Sequence, residues 1–138
     1  MARRKDQQLR KPAEGIRLRG RLWIELDRTA ALTEAGADLL EQILVCGSLS
    51  EAARRLHYSY RRAWMLIDAM NRNWPQPLVI TATGGKRGGG TQMTDFGRQV
   101  LSAYRDLQVQ LEHLLDQGSS VIHRSVMRPA DKKPSNSD

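Results

Sequence analysis

The sequence holds two groups of side chains that can bind a phosphate-bearing polymer. The first is Ser59-Tyr60-Arg61-Arg62, and the second is Lys86-Arg87 inside a run of glycines from position 84 to 90. An arginine can pair with guanine O6 and N7 through two hydrogen bonds, and serine and tyrosine hydroxyls can donate to phosphates. Glycines permit close approach of a backbone, while the lysine and arginine neutralise phosphates. Both groups therefore favour a nucleic acid as the partner.

Charge is distributed unevenly along the chain. The formal net charge is +7, from 22 lysines and arginines against 15 acidic residues. Between Gly47 and Gln99 there are eight basic and three acidic residues, whereas Val100–Gln117 has one basic and three acidic residues. Because the basic stretch coincides with both groups of candidate binding residues, we expect a polyanionic partner at that stretch.

The residues around the first group predict two helices joined by a tight turn. Ser48 and Glu51 have the spacing of a capping box, which opens a helix over 49–56. Ser59 caps a second helix that runs to about Trp74. His57 occupies the turn, where histidine tolerates the left-handed region better than most residues. This arrangement predicts a helix-turn-helix whose second helix reads the major groove, with a simple pair of packed helices as the alternative.

The second helix should bury one face. The buried stripe is predicted at Ala63, Leu66, Ile67, Met70 and Trp74, and the other face at Arg61, Met65, Asp68 and Arg72. We expect Trp64 to be largely packed and Met65 to be partly exposed.

A β-hairpin should follow this helix. Residues 78–83 read as a strand, the glycine-rich run is a long turn, and residues 91–94 return as a second strand. This is the form of a wing that lies along a phosphate backbone, and a disordered linker is the alternative. A nucleotide phosphate loop is excluded, because Lys86 is followed by Arg87 rather than by serine or threonine.

Further elements precede and follow these motifs. Alternating apolar residues predict a strand from Ile16 to Asp27, and Thr33 caps a helix through about Cys46, which Gly47 ends. The last helix is predicted from Asp95 to about Gln117. It has apolar residues at alternating steps of four and three, the spacing of a helix–helix seam, at Val100, Tyr104, Leu107, Leu111 and Leu114. We predict a dimer interface there, although a monomer could fold this stripe onto its own first helix.

Several classes of protein are disfavoured by the sequence. No run of 18 apolar residues is present, and the N-terminus lacks the apolar stretch of a secretory signal. Cys46 is the lone cysteine, so a reduced cytoplasmic setting is the default. His57, His113 and His123 are dispersed, without a metal-ligand spacing or a catalytic motif. We therefore expect no enzyme activity, cofactor, metal site or membrane association.

The motifs together resemble those of a known family. Residues 47–54, 59–64 and 69–71, followed by the glycine-rich wing and the Met93-Thr94…Gly97 entry into the last helix, resemble the DNA-binding domain of ModE-type molybdate-responsive regulators. The LysR-type regulators are similar more distantly. The resemblance implies a homodimer, held by the first strand and last helix, that binds a palindromic operator and usually represses.

The chain also departs from the family pattern. Arg87 stands where the family often has another glycine. About twenty residues follow the last predicted helix, which leaves no room for a molybdate-binding domain, so molybdate sensing is not expected to carry over.

The sequence thus predicts an α+β winged helix-turn-helix with an N-terminal strand and a long C-terminal dimerisation helix. The domain should cover residues 16–117, between a disordered basic arm (1–15) and a disordered tail (118–138). Contacts to double-stranded DNA are predicted from Ser48, Ser59, Tyr60, Arg61, Arg62, Met65, Lys86 and Arg87. A nucleic-acid binder without sequence preference, or an adaptor that binds protein, are the alternative functions.

Overall fold

The computed structural model describes residues 15–81 and 90–127, which form two compact units. One unit is 21–109, and the other joins the segment before it to the residues from 110 onward. The elements in chain order are β1 (Ile24–Leu26), β2 (Thr29–Leu32), α1 (Glu34–Cys46), α2 (Leu49–Arg55), α3 (Tyr60–Asn73), β3 (Val79–Thr81), β4 (Thr91–Met93), α4 (Asp95–Ile122) and a π-helical segment (His123–Met127). The predicted α+β winged helix-turn-helix class is confirmed, including the long C-terminal helix.

The N-terminal strand is much shorter than predicted. Only β1 is a strand within residues 16–27, and it pairs antiparallel with β2, which the sequence did not predict. The two strands are joined by Asp27 and Arg28, both with positive φ (49° and 66°). Two such residues form the tight turn whose twist suits a hairpin. Side chains between residues 16 and 23 do alternate between partly buried and exposed, as the sequence pattern predicted. This segment is extended chain and not a strand, because β2 pairs only with residues 24–26.

Local capping signals position α1. Thr33 Oγ1 accepts a hydrogen bond from Gly36 N at 3.1 Å, and Gly47 ends the helix in the left-handed conformation (φ 68°). The predicted cap and end are confirmed, and of the four residues whose helical spacing predicts an apolar stripe on α1, Leu39, Leu40 and Ile43 are buried. Leu44 is the exception, since its side chain is 48% exposed while Ile43 is buried.

The core of the 21–109 unit is built from α1, α2, α3, the two hairpins and the beginning of α4. Val100 and Tyr104 lie within it, and the Tyr104 hydroxyl donates to Leu22 O at 2.7 Å. Burial raises the pKa of this phenol. Arg105 also joins α4 to α1, through ion pairs with Asp38 and Glu41 at 2.9 and 2.8 Å.

The burial of Val100 and Tyr104 corrects the predicted dimer seam. These two side chains cannot be offered to a second copy, because they fill the core of their own chain. The physical reason is size: so small a domain needs the first turns of its last helix to cover its own apolar surface. Leu107 and Leu114 are 45% and 63% exposed, and Leu111 is half-buried.

In the other unit, the segment before Gly20 runs beside the C-terminal half of α4. Leu18 N donates to Ser119 Oγ at 3.3 Å. A Cβ atom on Gly118 would come within 2.7 Å of the Leu18 side chain, so the glycine permits this approach. Leu111 and Leu115 lie next to Gly20, which explains why Leu111 is only half-exposed.

The last helix is longer than predicted. It continues past Gln117 to Ile122, and the π-helical segment extends it to Met127. The prediction of a disordered tail is therefore wrong for residues 118–127, where contact with the N-terminal segment compensates for Gly118 inside the helix. The predicted arm (1–14), the rest of the predicted tail (128–138) and the glycine-rich tip (82–89) lie outside the described residues. Among residues 15–81 and 90–127, no helix combines the length and apolar character needed to cross a membrane.

Candidate nucleic-acid interface

The connection between α2 and α3 has the tight geometry of a helix-turn-helix. Ser48 caps α2 by accepting a hydrogen bond from Glu51 N at 3.2 Å. His57 turns the chain with φ 59°, and Tyr58 N then bonds to Ala53 O at 2.9 Å. The predicted cap and the left-handed histidine are both confirmed. This turn leaves α3 free to project beyond α2.

One face of α3 is fixed in the core. Ala63, Ile67 and Met70 are buried, and Leu66 and Trp74 pack against the core while partly exposed. The opposite face is solvent-exposed, as predicted, at Arg61, Met65, Asp68 and Arg72. Because its buried face is fixed in the core, α3 is held rigidly and presents its exposed face in a defined orientation, as a helix that binds in a DNA groove requires.

Positive charge and hydrogen-bond donors are concentrated at the first turn of α3. Ser59 Oγ accepts from Arg62 N at 3.0 Å, which leaves its hydroxyl hydrogen free to donate outward. Tyr60 is 53% exposed, and Arg61 has no ion pair with any of the described residues. The unpaired N–H groups and dipole at this helix end also attract anions. The structure thus brings together the four predicted residues of the first group.

Arg62 has a partner that the sequence analysis missed. Its guanidinium carbon lies 4.1 Å from the centre of the Tyr58 ring, a cation–π contact. Tyr58 itself packs against the core, so it forms a firm surface beneath the arginine. An aromatic residue four positions before an arginine, across a tight turn, was the available signal.

A second missed residue is Trp64. It is 41% exposed, not packed as predicted, and its ring meets that of Tyr60 edge to face at 6.3 Å. Met65 is 62% exposed, as expected. Exposed apolar groups beside arginines can contact thymine methyl groups or sugars in a groove.

The arginines of α2 are partly neutralised by Glu51. Its carboxylate accepts from Arg54 Nε at 3.0 Å and from Arg55 Nε at 3.3 Å, instead of reaching back to complete the capping box. The hydrogen bonds from Arg54 are the main cause that lowers the pKa of Glu51 from 4.5 to about 2. Helix α2 therefore carries a net charge of +1, whereas the start of α3 carries Arg61 and Arg62, which form no ion pair with the residues that the structure describes.

The wing strands are tied to the helices by specific hydrogen bonds. Asn71 Oδ1 accepts from Leu78 N and Val79 N at 2.9 and 3.2 Å, and Asn71 Nδ2 donates to Val79 O at 3.0 Å. On the other strand, Thr91 N donates to Gly47 O at 3.0 Å. Both strands of the hairpin are thus anchored at defined positions relative to α3 and α1.

These elements coincide with a sequence match. Residues 38–98 match the family described as bacterial regulatory helix-turn-helix protein, lysR family. They run from α1 through α2, the turn, α3 and both wing strands into the first turn of α4. Residues 38–98 form a LysR-type helix-turn-helix domain. That family comprises DNA-binding regulators and not enzymes, as the sequence analysis expected.

Several curated proteins with similar sequences are called ModE, and some of them are named transcriptional regulators. The chain is 41% identical over 107 residues to the molybdenum transport protein ModE of Azotobacter vinelandii, which covers 78% of this chain and 40% of that protein. It is 38% identical to the transcriptional regulator ModE of Haemophilus influenzae (67% of this chain, 36% of that protein). It is 40% identical to the DNA-binding transcriptional dual regulator ModE of Escherichia coli (54% and 28%). The chain therefore spans two fifths or less of the length of these relatives.

Within the LysR-type domain, not every predicted site residue is described. Lys86 and Arg87 fall in the range 82–89, outside the described residues, so their DNA contacts stay a prediction. Ser48 is described, but its hydroxyl already serves the cap of α2 and lies 3.1 Å from Ser50 Oγ. Residues 15–81 and 90–127 contain no cluster of histidine, cysteine, aspartate or glutamate suited to a metal ion.

Proposed function

We propose that this chain is a transcription regulator that reads a palindromic DNA operator as a homodimer and represses by covering a promoter. The observation that carries the proposal is the first turn of α3. There Tyr60, Arg61 and Arg62 project from a helix whose opposite face is locked in the core. The domain responsible is proposed to cover residues 16–117, with DNA contacts from the residues predicted above.

The roles of the exposed residues follow from their positions on α3. Successive residues are about 100° apart around a helix, so Arg61 and Met65 lie nearly opposite the buried Ala63 and Ile67. They would therefore reach deepest into a major groove, where arginine can distinguish guanine. Arg62 lies to one side, where its stacking on Tyr58 holds it ready for a base edge or a phosphate.

The homodimer is proposed through the exposed apolar residues of α4. Leu107 and Leu114 are two helical turns apart and both are largely exposed. Leu111 adds part of its side chain between them. A two-fold dimer would present two α3 helices about 34–36 Å apart, or a multiple of this distance, on one face of the duplex.

Selection of bound duplexes from a random pool tests this function. The recovered sequence should be an inverted repeat whose half-sites are about 10 bp apart or a multiple of it. Binding should then be measured against salt concentration on the selected duplex and on a scrambled duplex of equal length. Affinity for the selected duplex should exceed that for the scrambled one by at least 10³.

The other candidate functions give different results in the same experiment. Equal affinity for the two duplexes, with a steep salt dependence, would mean a nucleic-acid binder without sequence preference. If neither duplex is bound with measurable affinity, the result would favour the alternative in which the chain is an adaptor that binds protein.

A further inference from the structure

Trp64 differs from the other two tryptophans in what its N–H group contacts. Trp23 Nε1 donates to Glu25 Oε1 at 3.0 Å, and Trp74 Nε1 donates to Ala31 O at 2.9 Å. Within residues 15–81 and 90–127, Trp64 Nε1 has no acceptor, although the ring is more than half covered by its neighbours. An indole carries a single donor and no acceptor, so Trp64 offers one unused N–H beside an apolar ring face.

The orientation of this indole is constrained. The Tyr60 ring packs against it at a centroid distance of 6.3 Å and an interplanar angle of 87°. Edge-to-face pairs of this kind are a preferred aromatic geometry, and the two residues are one helical turn apart on α3. The N–H group is therefore presented from a prearranged position and does not have to be ordered when a ligand binds.

The position of Trp64 around α3 indicates which part of a DNA duplex it would meet. Trp64 and Asn71 are seven residues apart, so they lie on the same side of the helix. Asn71 is the residue that binds the wing strand β3 through Leu78 and Val79. Trp64 thus lies on the wing side of α3, about 100° from the direction of the buried Ala63 and about 100° from that of the exposed Met65.

From this geometry we infer that Trp64 donates its Nε1–H to a phosphate oxygen of the DNA strand that runs between α3 and the wing. The inference rests on the proposed DNA-binding function. With α3 in the major groove and the wing along the adjoining backbone, the wing side of the helix faces that strand. The indole supplies a donor for the phosphate and an apolar face for the deoxyribose, and the contact fixes the register of α3 without reading a base.

The test replaces single phosphates by uncharged methylphosphonates along the selected duplex. Trp64→Phe keeps an aromatic ring next to Tyr60 and removes the N–H together with the five-membered ring that carries it; the methylphosphonate series then isolates the part that depends on a phosphate. On unmodified DNA, Trp64→Phe should bind about tenfold more weakly than the wild type, the scale of one hydrogen bond to a charged group. At one phosphate per half-site, the methylphosphonate should weaken the wild type by a similar factor and have little further effect on Trp64→Phe.

Trp23→Phe is the matched control, because Trp23 is 52% exposed and lies outside the helix-turn-helix. It should leave the affinity and the methylphosphonate profile unchanged. A second measurement uses the ¹H–¹⁵N signals of the three indoles, assigned with the two variants. The signal that Trp64→Phe removes should shift downfield on binding, and it should do so less on the duplex with the critical methylphosphonate.

Other results would overturn the inference and leave the proposed function intact. One is that Trp64→Phe has the same affinity and the same methylphosphonate profile as the wild type, while circular dichroism shows that both variants are folded. Another is a loss of affinity in Trp64→Phe that adds in full to the loss caused by the methylphosphonate at every position tested, so that no single phosphate is linked to Trp64. A third is a loss that vanishes when one thymine is replaced by uracil, since the indole would then contact a methyl group. If the wild type itself binds no duplex, the proposed function fails and this inference fails with it.

Discussion

The guanidinium carbon of Arg62 lies 4.1 Å from the centre of the Tyr58 ring, across the turn of the helix-turn-helix. Tyr58 is held from below by the core, and Arg62 belongs to the first turn of α3. The aromatic face restricts the arginine to a small range of orientations, so less side-chain entropy is lost when it binds DNA. Tyr58 is thus a positioning residue for an arginine that is proposed to contact DNA.

We expect Tyr58→Leu to weaken binding to the selected duplex by about five- to tenfold, the range of one cation–π contact. Tyr58→Phe should restore nearly all of the affinity, because the ring remains. Circular dichroism and urea unfolding provide the check on stability. If Phe and Leu weaken binding equally, the ring face does not orient Arg62.

Arginines at the start of α3 and cations in the wing should have different effects. Arg61→Ala should cost about 1–3 kcal/mol on the selected duplex and relax the preference at one base pair. Lys86→Ala should weaken binding to all duplexes alike and reduce the salt slope by about one unit. Arg62→Ala and Arg87→Ala are expected to follow the first and second pattern, respectively. The measurement is a salt titration on specific and scrambled DNA, and identical behaviour of both pairs would contradict the assignment.

The side chain of Asn71 should be important for the wing. Asn71→Ala removes the partner of two backbone N–H groups and one carbonyl of the chain entering β3, which should destabilise the fold by about 1–3 kcal/mol. Asn73→Ala is the control, because its amide bonds mainly to Ala69 O within the same helix and should cost less than about 1 kcal/mol. Urea unfolding of both variants measures the difference. An equal loss would mean that the wing does not depend on Asn71.

Glu51 should contribute a pH-dependent part of the stability. Its pKa is lowered to about 2 in the folded protein from an ordinary value of 4.5, chiefly by the hydrogen bonds from Arg54. The ionised carboxylate therefore stabilises the fold above about pH 4.5, and this contribution is lost as the pH falls towards 2. Glu51→Gln should be less stable than the wild type at pH 6, with the difference shrinking towards pH 2. A difference that is constant with pH would exclude the ion pairs as its cause, and Glu112→Gln is the control on α4.

Dimer formation should depend on one side of α4. Leu107→Asp combined with Leu114→Asp should convert the dimer to a folded monomer at micromolar concentration, because charge would be buried at the seam. Leu111 is left unchanged, since it lies next to Gly20 of its own chain. Val109→Asp is a matched control: it is 52% exposed but about 200° around the helix from Leu107. Light scattering distinguishes the outcomes, and a wild type that is monomeric at tens of micromolar would contradict the proposed dimer.

Much of the fold could be predicted from local sequence rules. The caps Thr33, Ser48 and Ser59, the left-handed Gly47 and His57, and the bounds of the first three helices were all predicted to within a residue or two. These features depend on groups within about four residues of each other in the chain. The order of the helices and of the two wing strands followed from the same rules, as did the exposure of Arg61, Met65, Asp68 and Arg72 on α3.

Other features were decided by the tertiary structure. Periodicity assigned Val100, Tyr104 and Leu107 to one apolar stripe, but the core covers only the first two. Trp64 was expected to be packed, yet it remains 41% exposed. The long N-terminal strand became a short hairpin because β2 pairs only with residues 24–26.

The sequence by itself therefore determined where the first three helices begin and end and which residues carry charge. Only the tertiary structure decided which apolar residues are available to a partner, and which side chains orient the arginine of the recognition helix. The physical reason is range: capping and turn conformation act within one turn of the chain. Burial depends on which distant segment covers each face, and a periodic pattern does not contain that information.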